Sequence, residues 1–247
     1  MKVGLFIPCY VDQFFPDVAL STLKILQKIG LDVGYPMDQT CCGQPLYNSG
    51  CKNDTKPLAK KFVKLFEPFD YIVAPSGSCV SMVKHNYTKL DPSYEKTASK
   101  VYELVEFLHD IVGIDKLKTI LHPQFDYKLG IHHSCHALRD LQLSSCSELH
   151  TASYSKFLSI LSLVESIQIS QTKRVDECCG FGGTFSINEP HISTLMGQNR
   201  IQEHLDNGVE YITAVDSSCL MHLQGLIDKN NQSLQTIHIA QILGSNL

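Results

Sequence analysis

One order of residues runs through this chain twice: an apolar run ending in a lone cysteine, a Cys-Cys-Gly triplet, and a second apolar run ending in a second lone cysteine. In the first half these are Lys2-Val3-Gly4-Leu5-Phe6-Ile7-Pro8-Cys9, Cys41-Cys42-Gly43 and Tyr71-Ile72-Val73-Ala74-Pro75-Ser76-Gly77-Ser78-Cys79. In the second half they are Lys128-Leu129-Gly130-Ile131-His132-His133-Ser134-Cys135, Cys178-Cys179-Gly180 and Tyr211-Ile212-Thr213-Ala214-Val215-Asp216-Ser217-Ser218-Cys219. The anchors are offset by 126, 137 and 140 residues, so the chain inserts residues between them and keeps their order. A fourth echo follows, Tyr102 to Leu108 (YELVEFL) against Ile237 to Leu243 (IHIAQIL). Internal similarity on this scale implies duplication of a structural unit. The chain's 247 residues suffice for two domains of roughly 120 residues each. We expect residues 1–123 to form the first and 124–247 the second, divided where His122-Pro123-Gln124 interrupts the pattern.

Within each half the pattern alternates strand and helix. Val3 to Ile7 and Leu129 to His132 are short, apolar and β-rich, as are Tyr71 to Ala74 and Tyr211 to Val215, and all four read as buried strands. Asp17 to Ile29 carries Val18, Leu20, Leu23, Ile25, Leu26 and Ile29 at helical spacing between Pro16 and Gly30. Tyr154 to Val164 repeats that pattern, and Thr55 to Phe66 and Ile192 to Leu205 follow the Cys-Cys-Gly triplets as amphipathic helices. Short helices are expected after Cys79 and Cys219. The fold class is therefore α/β: two pseudo-repeated Rossmann-like domains, each a parallel sheet with helical crossovers. In such sheets the carboxyl ends of the strands share one edge, where ligands bind, so Cys9 and Cys79, and Cys135 and Cys219, are brought together there.

Composition narrows the function. A formal charge of −4 is small and of the wrong sign for a chain that grips nucleic acid. No apolar run approaches the roughly eighteen residues of a membrane span. The opening run is too short for a secretory signal, so a cytoplasmic location is expected. Ten cysteines in a reducing compartment suggest metal or redox chemistry rather than a disulfide frame. Eight of the ten fall on the anchors; Cys51 and Cys146 do not and read as structural. The eight form two four-sulfur sets, Cys9, Cys41, Cys42 and Cys79, and Cys135, Cys178, Cys179 and Cys219. Four thiolates suit zinc or an iron–sulfur cluster. Zinc knuckles use closely spaced cysteine pairs, whereas here 31 and 36 residues separate the anchors of the first set and 42 and 39 those of the second. That spacing and the adjacent cysteines favour a cluster, with zinc as the alternative or adventitious occupant. Vicinal disulfides at Cys41-Cys42 or Cys178-Cys179 are a lesser possibility.

The doubled unit resembles the cysteine-rich (CCG) domain found in the B subunit of heterodisulfide reductase, in iron–sulfur subunits of glycolate oxidase and anaerobic glycerol-3-phosphate dehydrogenase, and in the lactate-utilisation protein A family. The segments Ser134-Cys135-His136-Ala137-Leu138-Arg139, Glu177 to Ser186 (ECCGFGGTFS) and Asp216 to His222 (DSSCLMH) are most similar to the last. The resemblance implies an iron–sulfur component of a system oxidising L-lactate to pyruvate, acting with companion subunits, one of them a ferredoxin-type iron–sulfur protein. A zinc-stabilised scaffold, or heterodisulfide-reductase-like thiol chemistry, is the alternative. Some relatives end the unit in Cys-x-x-Cys, and here Ser76 and Asp216 stand at the first of those positions. The expectation is one [4Fe-4S] cluster per half on four cysteines rather than five, with Asp216 near one iron.

Other candidates cluster around the second set. His136 and Arg139 follow Cys135 within one turn; Arg139 suits a bidentate clamp on the carboxylate of a small 2-hydroxy acid, or an ordinary surface ion pair. His133, His136 and His222 are candidates to tune a cluster, carry a proton or bind metal. His132, inside the expected strand, reads as structural. Lys56, Lys60, Lys61 and Lys64 read as a solvated helix face rather than a docking surface. There is no Cys-x2-Cys-x2-Cys-x3-Cys run, and Gly180-Phe181-Gly182-Gly183 is too short for a dinucleotide loop, so electrons would have to enter or leave through a partner.

Overall fold

The computed structural model describes residues 1–150 and 152–247. Two four-stranded, wholly parallel sheets are linked by helical crossovers, the two-halved α/β architecture that the repeat predicts. The first contains β1 (Lys2–Leu5), β2 (Asp32–Gly34), β3 (Tyr71–Ala74) and β4 (Val101–Glu103) in the order β2-β1-β3-β4. The second contains β5 (Lys128–Ile131), β6 (Gln168–Ser170), β7 (Tyr211–Ala214) and β8 (Gln235–His238) in the order β6-β5-β7-β8. The register repeats as well: Val3 pairs with Tyr71 and Leu129 with Tyr211. Central strands are apolar along their length because helices cover both faces; Ile72, Val73 and Ala74 are wholly buried.

Several boundaries differ from the sequence expectation. β1 and β5 end at Leu5 and Ile131, although each ladder gains one further bond, from Phe6 N–H to the Val73 carbonyl (2.9 Å) and from His132 N–H to the Thr213 carbonyl (2.8 Å). The helices after Cys79 and Cys219 are long, Gly77–Leu90 and Ser217–Lys229. The helix expected over 154–164 is confined to Lys156–Leu161, where the Ser155 hydroxyl caps it by accepting from Leu158 N–H at 3.1 Å. Edge strands β2 and β6, three residues each and partly exposed, carry too little apolar pattern to be read in advance.

Each half packs the helix that follows its fourth strand onto the other half. The Ile239–Leu243 helix packs on the Pro16–Lys28 helix of the first half, and the Leu104–Phe107 helix packs on Lys156–Leu161 of the second. Matching capping boxes start both: Glu103 accepts from Val105 N–H (2.6 Å) and Glu106 N–H (3.3 Å), while His238 Nδ1 accepts from Ala240 N–H (3.1 Å). The fourth echo in the sequence is therefore a repeated strand-to-helix turn. A shared apolar cluster results, in which Ile25 and Leu26 of the first half meet Ile239 and Leu243 of the second, while Ile201, Ile212, Leu223 and Ile227 form a separate cluster within the second half. Leu243→Ala should cost about 2–5 kcal/mol and shift a single cooperative urea transition. Separate unfolding of the second half alone would contradict this shared core.

Candidate metal centre

The eight anchor cysteines line one cavity of about 210 Å³. Cys9 opens the Cys9–Phe14 helix four residues beyond Leu5, the last residue of β1, and Cys135 stands four beyond Ile131 of β5. Cys79 and Cys219 lie in the first turn of the helices after β3 and β7. The triplets reach the same edge on loops whose glycines are left-handed, Gly43 at φ +83° and Gly180 at φ +88°. A Cβ on Gly180 would stand 2.6 Å from the Ser193 carbonyl, which together with that φ reserves the position for glycine. In this turn the glycine N–H points back at the first sulfur of its own triplet, Gly43 to Cys41 at 3.4 Å and Gly180 to Cys178 at 3.3 Å.

Those first sulfurs are the most acidic. Hydrogen bonds from Cys42 and Cys9, with Gly43 N–H, bring the Cys41 thiol down to about 3. Cys178 is brought to about 2 by Cys135, Cys179 and Gly180 in the same roles. The donors move the other way: hydrogen bonding to Cys41 and burial raise Cys9, and Cys135 is raised likewise by Cys178. The Cys9 and Cys41 sulfurs are 3.7 Å apart. Thiolates around one metal ion with bonds of about 2.3 Å are separated by roughly 3.8 Å, so the donors fit a soft metal at bonding separation.

The two sites are joined rather than merely adjacent. Ser76 and Asp216, equivalent in the repeat, form a bridge between the halves. The Asp216 carboxyl is 1% exposed; Oδ1 accepts from Ser76 Oγ (2.9 Å), Ser78 N–H (2.9 Å) and Ser78 Oγ (2.8 Å), and Oδ2 from Ser134 Oγ (2.6 Å). Beside this joint, Gln44 of the first half lies 3.2 Å from His136 Nε2 of the second, its amide also donating to the Ser78 carbonyl at 3.3 Å. Tyr10 packs edge-on against Phe181 at 5.8 Å between ring centres, completing the apolar part of the wall.

Residues 3–84 and 129–224 match the cysteine-rich domain CCG. Over 254 aligned positions the chain is 37% identical to lactate utilization protein A 2 of Bacillus cereus (strain Q1), covering 100% of this chain and 99% of that one. The chain belongs to the lactate utilization protein A family. Lactate utilization protein A 1 of Bacillus anthracis (strain CDC 684 / NRRL 3495) is also 37% identical, with the same coverage. A solved glutamate racemase from Francisella tularensis aligns at TM-score 0.39 and 13% identity over 99% of this chain and 78% of that one, too distant a likeness to bear on chemistry.

Among the residues singled out from sequence in this lactate utilization protein A relative, His136 and Asp216 line the cavity and Arg139 does not. The Arg139 fork holds Glu148, from Nε at 2.9 Å and Nη2 at 2.5 Å, the surface ion pair that was the alternative reading. Asp140 instead accepts from Ser81 Oγ. His133 meets Phe157 edge-on, and His222 approaches the Ser193 carbonyl at 3.4 Å. His132 departs from the structural role expected of it. It is 1% exposed, both ring nitrogens lack a partner among the described residues, and a ring nitrogen lies within 4.8 Å of the Cys179 and Cys219 sulfurs. Each buried polar atom without a partner costs about 1–3 kcal/mol, a cost that a group bound at the neighbouring sulfurs would offset. Gln44, Tyr10, Phe181 and Ser134 also belong to the site; their adjacency to anchor cysteines was the only sequence signal.

Two outcomes test this geometry. Asp216→Ala should lower stability by roughly 2–3 kcal/mol, since four donors lose their acceptor, as read by urea unfolding; an unchanged midpoint would remove Asp216 as the joint. In apo-protein Cys41 and Cys178 should stay thiolate well below neutral pH, because their pKa values lie at about 3 and about 2. Brief iodoacetamide labelling at pH 5 should mark these two first in peptide mass spectra; preferential labelling of Cys9 or Cys135 would contradict the assignment.

Proposed function

We propose that this chain is an iron–sulfur subunit of a lactate-oxidising system, with one [4Fe-4S] cluster held by Cys9, Cys41, Cys42 and Cys79 and another by Cys135, Cys178, Cys179 and Cys219. The supporting observation is that all eight sulfurs line one cavity. A zinc ion on four thiolates fills its own coordination sphere and needs no cavity beside it, whereas inorganic sulfide and iron occupy space in front of the thiolates. The names of the relatives supply the substrate class, lactate, a small 2-hydroxy acid. Companion subunits, including a ferredoxin-type protein, would carry electrons onward. Among the described residues no helix is long and apolar enough to cross a membrane.

Converting a 2-hydroxy acid to a 2-oxo acid removes two electrons and two protons. Bound clusters supply one-electron acceptors, and two sites on one cavity match the two electrons of a single turnover. The protein's own part is to shape the cavity and handle charge. Gln44 donates from its amide to His136 Nε2 and so holds that ring in the cavity wall with Nε2 as an acceptor. Tyr10 and Phe181 close the apolar side and restrict water. Asp216, engaged by four donors, fixes the separation of the two sulfur sets.

Strictly anoxic protein should be brown, bleach with dithionite and contain about eight iron and eight sulfide. Cys41→Ser or Cys178→Ser should each remove roughly half the iron. Colourless protein with stoichiometric zinc and no iron after the same preparation would replace this reading with the scaffold alternative.

A further inference from the structure

The duplicated halves share a backbone and differ behind the cysteines. Phe6 and His132 occupy the same place, each the residue after the first strand of its half and each donating N–H to the neighbouring strand. The glycine two positions earlier faces Phe66 in the first half (Gly4) and His204 in the second (Gly130). One helical turn before these stand Phe62 and Arg200. In the first half the three rings pack on one another, Phe6 to Phe62 at 5.0 Å, Phe6 to Phe66 at 5.8 Å and Phe62 to Phe66 at 4.6 Å. In the second half the same volume is polar: Arg200 Nε donates to His204 Nε2 at 3.4 Å, and His132, Arg200 and His204 are all buried.

A polar triad in place of an aromatic one is hard to account for by packing, since an apolar core of similar volume is usually as stable or more so. Nor is it self-satisfied: both nitrogens of His132, Nδ1 of His204 and Nη2 of Arg200 lack partners among the described residues. What His132 does face is Cys179 and Cys219. We propose that the second-half site is the more easily reduced of the two, because the buried His132 ring, within 4.8 Å of the Cys179 and Cys219 sulfurs, can turn an N–H to them, and the buried Arg200 guanidinium, bonded to His204, adds a cation in the same half. This inference rests on the proposed clusters.

An electron added to a thiolate-ligated site increases its negative charge, which a hydrogen bond to sulfur and a nearby cation both stabilise; an aromatic wall offers neither. Either tautomer of a neutral imidazole carries one N–H. Glu203 and Glu177, at 3.2 and 3.9 Å from Arg200 Nη1, balance the guanidinium in part, which leaves the N–H of His132 as the group that Phe6 cannot match in the first half. Electrons would then fill the second half first and the first half second.

The test is potentiometric titration of the anoxic full chain, followed by EPR, with iron and sulfide measured on the same samples. The native protein should reduce in two resolved one-electron steps. His132→Phe installs the residue of the other half and should lower only the higher step, by tenfold or more in electron partition, or about 59 mV. His132→Gln keeps an N–H and should recover much of that shift. A single unresolved step in native protein with full iron, or His132→Phe leaving both midpoints in place with full iron, overturns the inference alone. Iron absent from the native protein overturns the proposed function with it. Should His132→Phe lose its iron, the native steps and His132→Gln still decide.

Discussion

All strands of a parallel sheet run the same way, so every loop leaving a carboxyl end opens at one edge. Each half uses that constraint to bring cysteines 70 (Cys9 and Cys79) or 84 (Cys135 and Cys219) positions apart to one place, and the two edges face each other across the Asp216 joint. The joint breaks the symmetry of the repeat. Ser76 caps its own helix by accepting from Cys79 N–H at 3.4 Å, whereas Asp216 makes no side-chain cap and spends both oxygens on Ser76, Ser78 and Ser134. A longer acidic side chain at one of two equivalent positions thus ties the sulfur sets into one cavity.

Duplication explains why the donor sets match, and divergence behind them explains how they can differ. The backbone turn at Gly43 and Gly180 and the acidic first sulfur of each triplet recur because they depend on local geometry. The residues filling the space behind need only suit their neighbours, and there Phe6, Phe62 and Phe66 have given way to His132, Arg200 and His204. The helices after β4 and β8, each packed on the other half, tie the halves through a shared apolar cluster, so that divergence alters chemistry without freeing the lobes from each other.

The strongest sequence signals were those that combined periodic burial with a repeated order. β1, β3, β5 and β7 were legible because helices bury both faces and leave continuous apolar runs, and the Pro16–Lys28, Lys52–Phe66 and Pro190–Asp206 helices because one face is apolar at helical spacing, whereas the length of Gly77–Leu90 and Ser217–Lys229 was not. β2 and β6 were not, because short edge strands expose half their residues and carry no comparable pattern. Arg139 shows the limit of adjacency as an argument. It lies four residues from an anchor cysteine, yet the turn after Cys135 directs it outward to Glu148. His132 shows the converse, its place in a strand concealing that its ring extends beneath the triplet of a distant loop.

The sequence by itself determined the α/β class, the twofold repeat, the eight sulfur donors and the family, because each depends on residue type and order along the chain. Only the tertiary structure decided that the two sulfur sets share a cavity, that Asp216 is their joint, and that a polar triad lies behind one set and an aromatic triad behind the other. Those outcomes depend on contacts between residues far apart in the chain, in the case of the joint between the two halves, and linear spacing carries no information about which side chains meet across such distances.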